Sequence, residues 1–283
     1  MKHARGELAL DHCLVMGIVN RTPDSFYDGG RMGLEESVEF AIDLVEQGAE
    51  VLDLGGVKAG PGAEVPVSEE MRRVVPAVEA LSAAIDVPLS IETARPQVAS
   101  AVIDAGAAII NDVSALADEA LADVCAETGA GLVLMHNGGQ LRGRPRHPRY
   151  GDVVVSVVEE WDRQAGIARA HGVTDEQLMF DPGLDFGKTA YHSLELMRRI
   201  DEMVAYPGPV LIAPSRKDIV GEALALPLEE RLEGTLALVA LTAAAGAAMV
   251  RVHDVRAASR TVAMVEAVLG MRPPLAPVRG LWD

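Results

Sequence analysis

Eight short aliphatic runs, each ending abruptly in polar residues, limit what this chain can fold into more than any other feature. They are L-V-M-G-I-V at 14–19, V-L-D-L at 51–54, V-P-L-S-I at 87–91, A-I-I at 108–110, L-V-L-M at 132–135, L-M-F at 178–180, P-V-L-I at 209–212 and A-M-V-R-V at 248–252. The segments between them carry apolar residues every three or four positions, as over 35–45, 70–81 and 229–241, the spacing of a helix with one buried side. Strands this apolar, alternating with helices, belong to a parallel sheet covered on its outer face. Eight such units in 283 residues predict an α/β protein with a single (β/α)₈ TIM barrel over 1–270 and a Pro- and Gly-bearing tail at 271–283. The alternative is an open doubly wound sheet. Such a sheet usually carries G-x-G-x-x-G after its first strand, whereas the residues here are N-R-T-P-D-S-F-Y-D-G-G at 20–30.

Composition narrows the function. Hydrophobic residues make up 49% of the chain and aromatics 4%, which suits a large aliphatic core. The net charge of −17 repels nucleic acid and anionic membranes, so neither is expected as a partner and any anion site must be built locally. Cys13 and Cys125 stand far apart in sequence and are expected to be inert thiols, and residues 1–12 lack the apolar core of a signal peptide; a cytoplasmic location is expected. The longest apolar run, 236–250, is shorter than the roughly 20 residues a bilayer needs. It reads as a buried helix, a stop at Gly246 and a strand.

Active sites of barrels lie at the carboxyl ends of the strands. The residues there are Asn20; Asp53; Glu92 and Thr93; Asn111 and Asp112; His136 and Asn137; Asp181; Ser215, Arg216 and Lys217; and Arg251, His253 and Asp254. Asn111, Asp181, Glu92 and Lys217 suit a flat heterocycle rich in donors and acceptors. Asn20, Arg251 and His253 suit an anion, with the Arg fork for phosphate and the Asn oxygen for a hydrated Mg²⁺. Together the two sets point to a phosphorylated heterocycle. Some members of so full a rim are expected to be structural.

The strings M-G-I-V-N-R-T-P-D-S-F-Y-D-G-G, D-L-G-G, N-D-V, M-H, D-P-G-L-D-F-G-K-T, S-R-K and R-V-H-D-V, in this order over about 14–268, resemble dihydropteroate synthases of folate biosynthesis. The resemblance implies a TIM barrel, usually a homodimer. It implies a reaction joining 6-hydroxymethyl-7,8-dihydropterin diphosphate to the aryl amine p-aminobenzoate, with release of pyrophosphate and with Mg²⁺ as cofactor. Position by position, it implies that Asn111, Asp181 and Lys217 hold the pterin, with Glu92 in place of the family's aspartate and with Asp53 and Phe186 among the substrate-binding residues. Arg251 would lie over the pterin face. Arg251, His253 and Asn20 would bind the diphosphate and its metal, Asn20 being the metal ligand. Asp181, Lys217 and Arg251 would carry catalysis: the C–O bond ionises, the pterin bears the positive charge, and the amine attacks.

Several positions depart from that family. Its working members read D-[IV]-G-G-E-S-[TS]-R-P-G where this chain reads D-L-G-G-V-K-A-G-P-G at 53–62, so Val57, Lys58, Ala59 and Gly60 replace a glutamate, a serine, a hydroxyl residue and an arginine. Glu92 is one methylene longer than the usual aspartate, Ala213 replaces a glycine, and Asp218 stands where a serine or basic residue would favour the aminobenzoate carboxylate. The wording of 20–28 and 55–62 resembles the divergent second paralogue of actinobacteria. Three functions remain open: a synthase whose activity is weakened or lost through 57–60, a transferase using another acceptor amine, and a non-catalytic pterin-binding or regulatory paralogue. A pterin-dependent methyl carrier barrel fits S-R-K and R-V-H-D-V less well. Bland readings apply to His136 as a hydrogen-bonded rim residue, to Asp24 and Asp28 as turn and cap groups, and to Arg216 as the solvated start of a helix. The arginines between Arg142 and Arg149 read as a solvated loop, with a substitute anion clamp as the alternative.

Overall fold

The computed structural model describes residues 1–20, 33–56, 65–139 and 148–279. Each of the eight predicted runs forms a barrel strand. After a short N-terminal hairpin, β1 (Lys2–His3) and β2 (Gly6–Glu7), come β3 (Leu14–Asn20), α1 (Leu34–Glu46), β4 (Val51–Gly55), α2 (Val67–Ala84), β5 (Leu89–Glu92) and α3 (Pro96–Ala105). They are followed by β6 (Ile109–Asp112), α4 (Ala120–Thr128), β7 (Gly131–Met135), α5 (Val153–Ala170), β8 (Leu178–Asp181), α6 (Ala190–Arg198) and α7 (Ile200–Val204). The chain ends with β9 (Leu211–Ile212), α8 (Asp218–Leu224), α9 (Leu232–Ala244), β10 (Met249–Val252) and α10 (Val255–Val268).

The eight long-range strands pair in the order β8-β7-β6-β5-β4-β3-β10-β9, all in parallel. A bridge between Phe180 and Val210 joins the two ends, and the Phe180 N–H donates to Pro209 O at 2.9 Å. The sheet is therefore closed, a (β/α)₈ barrel and not an open doubly wound sheet. Closure leaves no edge, and the two-residue period of each strand then divides its side chains between the barrel interior and the helix layer. Leu14, Met16, Val51, Ile109, Val133, Met179, Leu211 and Met249 fill the interior. Val15, Leu52, Leu54, Ile91, Ile110, Leu132, Phe180 and Val250 face the helices.

That parity positions the site. Counting two residues on from Val51, Ile109, Met179 and Met249 reaches Asp53, Asn111, Asp181 and Arg251, so all four point into the carboxyl end of the barrel. The opposite end is closed by the N-terminal hairpin, which the sequence reading did not foresee. Met1, Leu8 and Leu10 pack against the interior cluster, and the Ala4 N–H donates to Ala108 O at 3.2 Å.

Two further expectations are corrected. The apolar stretch from 236 is not a fully buried helix: α9 buries Thr235, Val239, Thr242 and Ala243 but leaves Leu241 53% exposed. An α/β barrel needs only the inner side of each helix, so apolar residues on the outer side stay uncovered in a single chain. Arg216 is not a solvated helix start either. It is 8% exposed, fixed by Asp254 through Nε at 2.8 Å and Nη2 at 2.9 Å, and it donates to the carbonyls of Leu228 and Glu229.

The end of β8 is anchored from behind by Trp161, a fully buried residue of α5. Its indole donates to Asp181 O at 3.2 Å, and its rings meet Phe180 and Tyr206 at 5.5 and 5.2 Å. Trp161→Ala is expected to cost about 3–5 kcal/mol through the cavity it opens. Trp161→Phe should cost less, because the His136 N–H still satisfies Asp181 O at 2.9 Å. Denaturant unfolding followed by far-UV circular dichroism checks both; equal losses for the two variants would refute this account.

Candidate active site

The floor of the barrel mouth is a buried charge network centred on Asp53, which is 0% exposed. Its Oδ1 accepts from the Ser90 hydroxyl at 2.6 Å and from Asn111 Nδ2 at 3.3 Å. Its Oδ2 accepts from Arg251 Nε at 2.7 Å and Nη2 at 2.6 Å. Arg251 Nη2 also reaches Glu92 Oε2 at 3.1 Å. A buried carboxylate without partners would be prohibitive, and here the guanidinium fork and two neutral donors replace its water. Burial pushes the Glu92 carboxyl up to about 7, with Arg251 opposing that rise and Asp53 adding to it.

A second wall comes from the turn after β8. Asp181 faces inward and accepts the Gly183 N–H at 2.7 Å on Oδ1; burial raises its pKa while Lys217 opposes the rise. The Lys217 ammonium donates to Leu184 O at 2.9 Å and sits 5.1 Å from the centre of the Phe186 ring, a cation–π contact. Burial lowers its pKa, countered first by Asp181. On the other side, the Ser215 hydroxyl accepts the His253 backbone N–H at 3.1 Å and meets His253 Nδ1 at 2.9 Å. Burial, with Arg251 nearby, brings His253 down to about 4. Burial thus favours the neutral imidazole here.

The structure brings Asp53, Glu92, Asn111 and Arg251 into one bonded cluster, while Lys217 meets Leu184 and Phe186 of the turn that follows Asp181. Arg251, expected over a ring face, here directs its Nε and Nη2 edge to two carboxylates. Asn20 is the last residue of β3, but its side chain, like residues 21–32, 57–64 and 140–147, lies outside the described residues. Asp24, Asp28, the altered positions 57–60 and the arginines from 142 to 146 therefore fall outside them too. Arg149 is exposed. Among the described residues no three His, Cys, Asp or Glu side chains converge to hold a metal ion.

Other rim residues are structural. Thr93 donates to Glu70 of α2 at 2.8 Å, and Arg95 pairs with the other Glu70 oxygen at 2.8 Å. Asp112 caps the backbone of Ser114 and Leu116 at 2.8 and 2.6 Å, and Asn137 bridges Val113 and Gly139. Asp218, expected to repel a carboxylate, is paired with Arg231 at 3.1 Å. Burial pushes the thiols of Cys13 and Cys125 up to about 12, in keeping with inert cysteines. Two residues that matter to the site were missed. Ser90 carries the inward parity two positions before Glu92, a signal that was available. Lys188 lies in a loop where no period applies.

A model of the family described as pterin binding enzyme matches residues 16–253. A Mycobacterium leprae protein named inactive dihydropteroate synthase 2 is 49% identical over 281 residues, 97% of this chain and 97% of that one. The dihydropteroate synthase of Escherichia coli K12 is 38% identical over 267 residues, 94% of this chain and 95% of the other. Among solved structures, the Yersinia pestis dihydropteroate synthase with a sulfonamide drug complex aligns with a TM-score of 0.89 at 36% identity, covering 94% of this chain and 97% of that one.

The raised pKa of Glu92 makes stability depend on pH. An acid that holds its proton more tightly in the fold gives stability that is fully present below its unfolded value of 4.5 and lost as pH rises through about 7; the slope follows from the protons bound by each state. Glu92→Gln cannot titrate. Relative to the parent, it should therefore be more stable at about pH 8 than at about pH 5. Urea unfolding of both proteins at the two pH values checks this, and a difference independent of pH would show that Glu92 ionises as an ordinary surface carboxylate.

Proposed function

The chain belongs to the pterin-binding enzyme family, and we propose that it holds 6-hydroxymethyl-7,8-dihydropterin diphosphate at the barrel mouth as a homologue of dihydropteroate synthase whose transfer to p-aminobenzoate is weakened. The observation that carries this reading is the inward convergence of Asp181, Asn111, Asp53 and Glu92, with Lys217 beside them. Carboxylates accept from the amino and ring N–H groups of a pterin, and Lys217 and Asn111 donate to its carbonyl and ring nitrogens. Arg251 and the neutral imidazole of His253 face the diphosphate. The donor chemistry also fits a Mg²⁺ ion carried by the diphosphate: a small hard ion that keeps most of its waters needs little more from the protein than one oxygen such as that of Asn20. When bound, that ion would offset the charge developing on the departing pyrophosphate. Asp181, held by the Gly183 N–H, would stabilise positive charge spreading into the ring, and no nucleophilic side chain is required. A homodimer and a cytoplasmic location complete the proposal, the first in keeping with the apolar outer side of α9.

The weak link is 57–60. Val57, Lys58, Ala59 and Gly60 offer neither the hydroxyl nor the arginine expected there, and Arg251 is shared between two carboxylates. A second reading, a pterin-binding paralogue without turnover, is favoured by one observation: the relatives named inactive dihydropteroate synthase 2 are 48–49% identical, against 38% for the E. coli synthase. A product assay with the dihydropterin diphosphate, Mg²⁺ and p-aminobenzoate, run beside a titration with pterin alone, separates the two. Binding without product supports the paralogue, product only with another amine supports an altered transferase, and neither binding nor product defeats the pterin reading.

Removal of either charged contact tests the pocket. Asp181→Ala and Lys217→Ala should each weaken pterin binding by about 1–3 kcal/mol, measured by calorimetry; affinity equal to that of the parent in both would show the pocket is misassigned. Replacing residues 57–60 by E-S-T-R should raise turnover with p-aminobenzoate by up to about 2–4 kcal/mol of transition-state stabilisation. An exchanged loop that leaves the rate unchanged would move the defect to Glu92 or Ala213.

A further inference from the structure

Among the described residues, Lys188 is the one buried lysine at the barrel mouth that the proposed chemistry does not use. It is 7% exposed, and its ammonium meets four acceptors: His136 Nδ1 at 2.7 Å, His136 O at 3.2 Å, Gly183 O at 3.0 Å and Phe186 O at 3.0 Å. The two loops it joins approach backbone to backbone. A Cβ on Gly183 (φ +64°) would lie 2.1 Å from His136 O, and one on Gly187 (φ +61°) would lie 2.5 Å from Asn137 O. Carbonyl oxygens crowded in this way repel one another unless a donor stands between them. A lysine ammonium supplies three N–H groups and no acceptor.

The turn it holds sets the two residues expected to grip the pterin. The Gly183 N–H orients Asp181, Leu184 O receives Lys217, and Phe186 underlies the Lys217 ammonium. Asp185 ties the same turn to α8 through the Ile219 N–H at 3.1 Å. We propose that Lys188 is a positioning residue of the pterin subsite, its ammonium and His136 together stapling the 182–188 turn in the form that aims Asp181 and Lys217; this rests on the pterin reading above. It acts through the turn and touches no substrate.

The charged neighbours define how the staple responds to pH. Burial lowers Lys188 to about 7, Asp181 and Asp185 favour its charged form, and Lys217 opposes it. His136, down to about 3 through burial and then Lys188, stays neutral and acts as an acceptor, with Glu160 the carboxylate that opposes its shift; burial and Lys188 also lower His192. Raising the pH through about 7 removes one of the three hydrogens and the charge that hold the turn. The turn is therefore tighter below that value than above it.

Amide hydrogen exchange resolved along the chain, and titration with 6-hydroxymethyl-7,8-dihydropterin, test the proposal on the parent and on Lys188→Met. In the variant, exchange over 182–188 should quicken at least about tenfold while 109–112 in β6 keeps its protection, and pterin affinity should fall by at least about tenfold, since small misplacements of positioned groups are costly. In the parent, protection of the turn, corrected for intrinsic exchange, should drop as pH rises through about 7. The variant should show no such step, although Glu92, which also titrates in that range, is still present. Unchanged protection of 182–188, a uniform loosening of the whole barrel, or a loosened turn that binds pterin as the parent does would each overturn the proposal. If the parent itself binds no pterin, the pterin reading fails. The exchange arm then decides alone: loosening confined to the turn upholds Lys188 as its staple, and unchanged protection removes it.

Discussion

The contact between Arg251 and Asp53 is the constraint around which the barrel mouth is arranged. A closed eight-stranded barrel sends every second side chain inward, and near its carboxyl end those positions are shielded from water yet must present polar groups to any ligand. A lone carboxylate there would take up a proton or destabilise the fold. Asp53 avoids this with a guanidinium on one oxygen and Ser90 and Asn111 on the other. The same guanidinium reaches Glu92, so β4, β5, β6 and β10 are joined across the interior by one network as well as by their backbone ladders. Breaking it by removing Arg251 would leave two acids uncompensated, the situation in which buried charges cost most.

Charge is largely offset locally. Asp53, Glu92, Asp181 and Asp185 lie among Arg251, Lys217 and Lys188, in a molecule whose net charge is −17. Most of the excess negative charge thus lies elsewhere on the chain, where water and salt screen it. This balance explains how an acidic protein can offer a site for a phosphorylated ligand, and it also sets a limit. The strongest cation, Arg251, is already engaged by two carboxylates, and His253 is neutral, so the described part of the mouth has little spare positive charge for a diphosphate.

Legibility in the sequence followed physical periodicity. Aliphatic runs separated by helical spacing announced eight strands, and all eight formed, because a strand buried on both faces has few other ways to satisfy its composition. Asp53, Asn111, Asp181 and Arg251 were found as strand-end residues, and the two-residue period explains why they meet. Where no period applies, the sequence said less. Lys188 was not singled out, because the four acceptors that make it structural come from His136, Gly183 and Phe186, brought together only by the fold. Arg216 was misread because its partner Asp254 lies 38 positions away, and the hairpin at Lys2–Glu7 because two-residue strands are too short to show a pattern.

Glu92 and 57–60 bear on different steps. Glu92 belongs to the floor: its carboxylate meets Arg251 Nη2 at 3.1 Å, and its raised pKa means that near neutrality it is divided between an acid that can donate and a carboxylate that can only accept. Such a group can still meet a pterin N–H or ring nitrogen. Departure of pyrophosphate asks for something else, cations that gain interaction as charge develops on the leaving oxygens. With Arg251 shared and His253 uncharged, that demand would fall on 57–60, and Lys58 is the only cation those four positions contain. Binding and turnover can therefore separate in this chain by the placement of its charges alone, with the barrel intact.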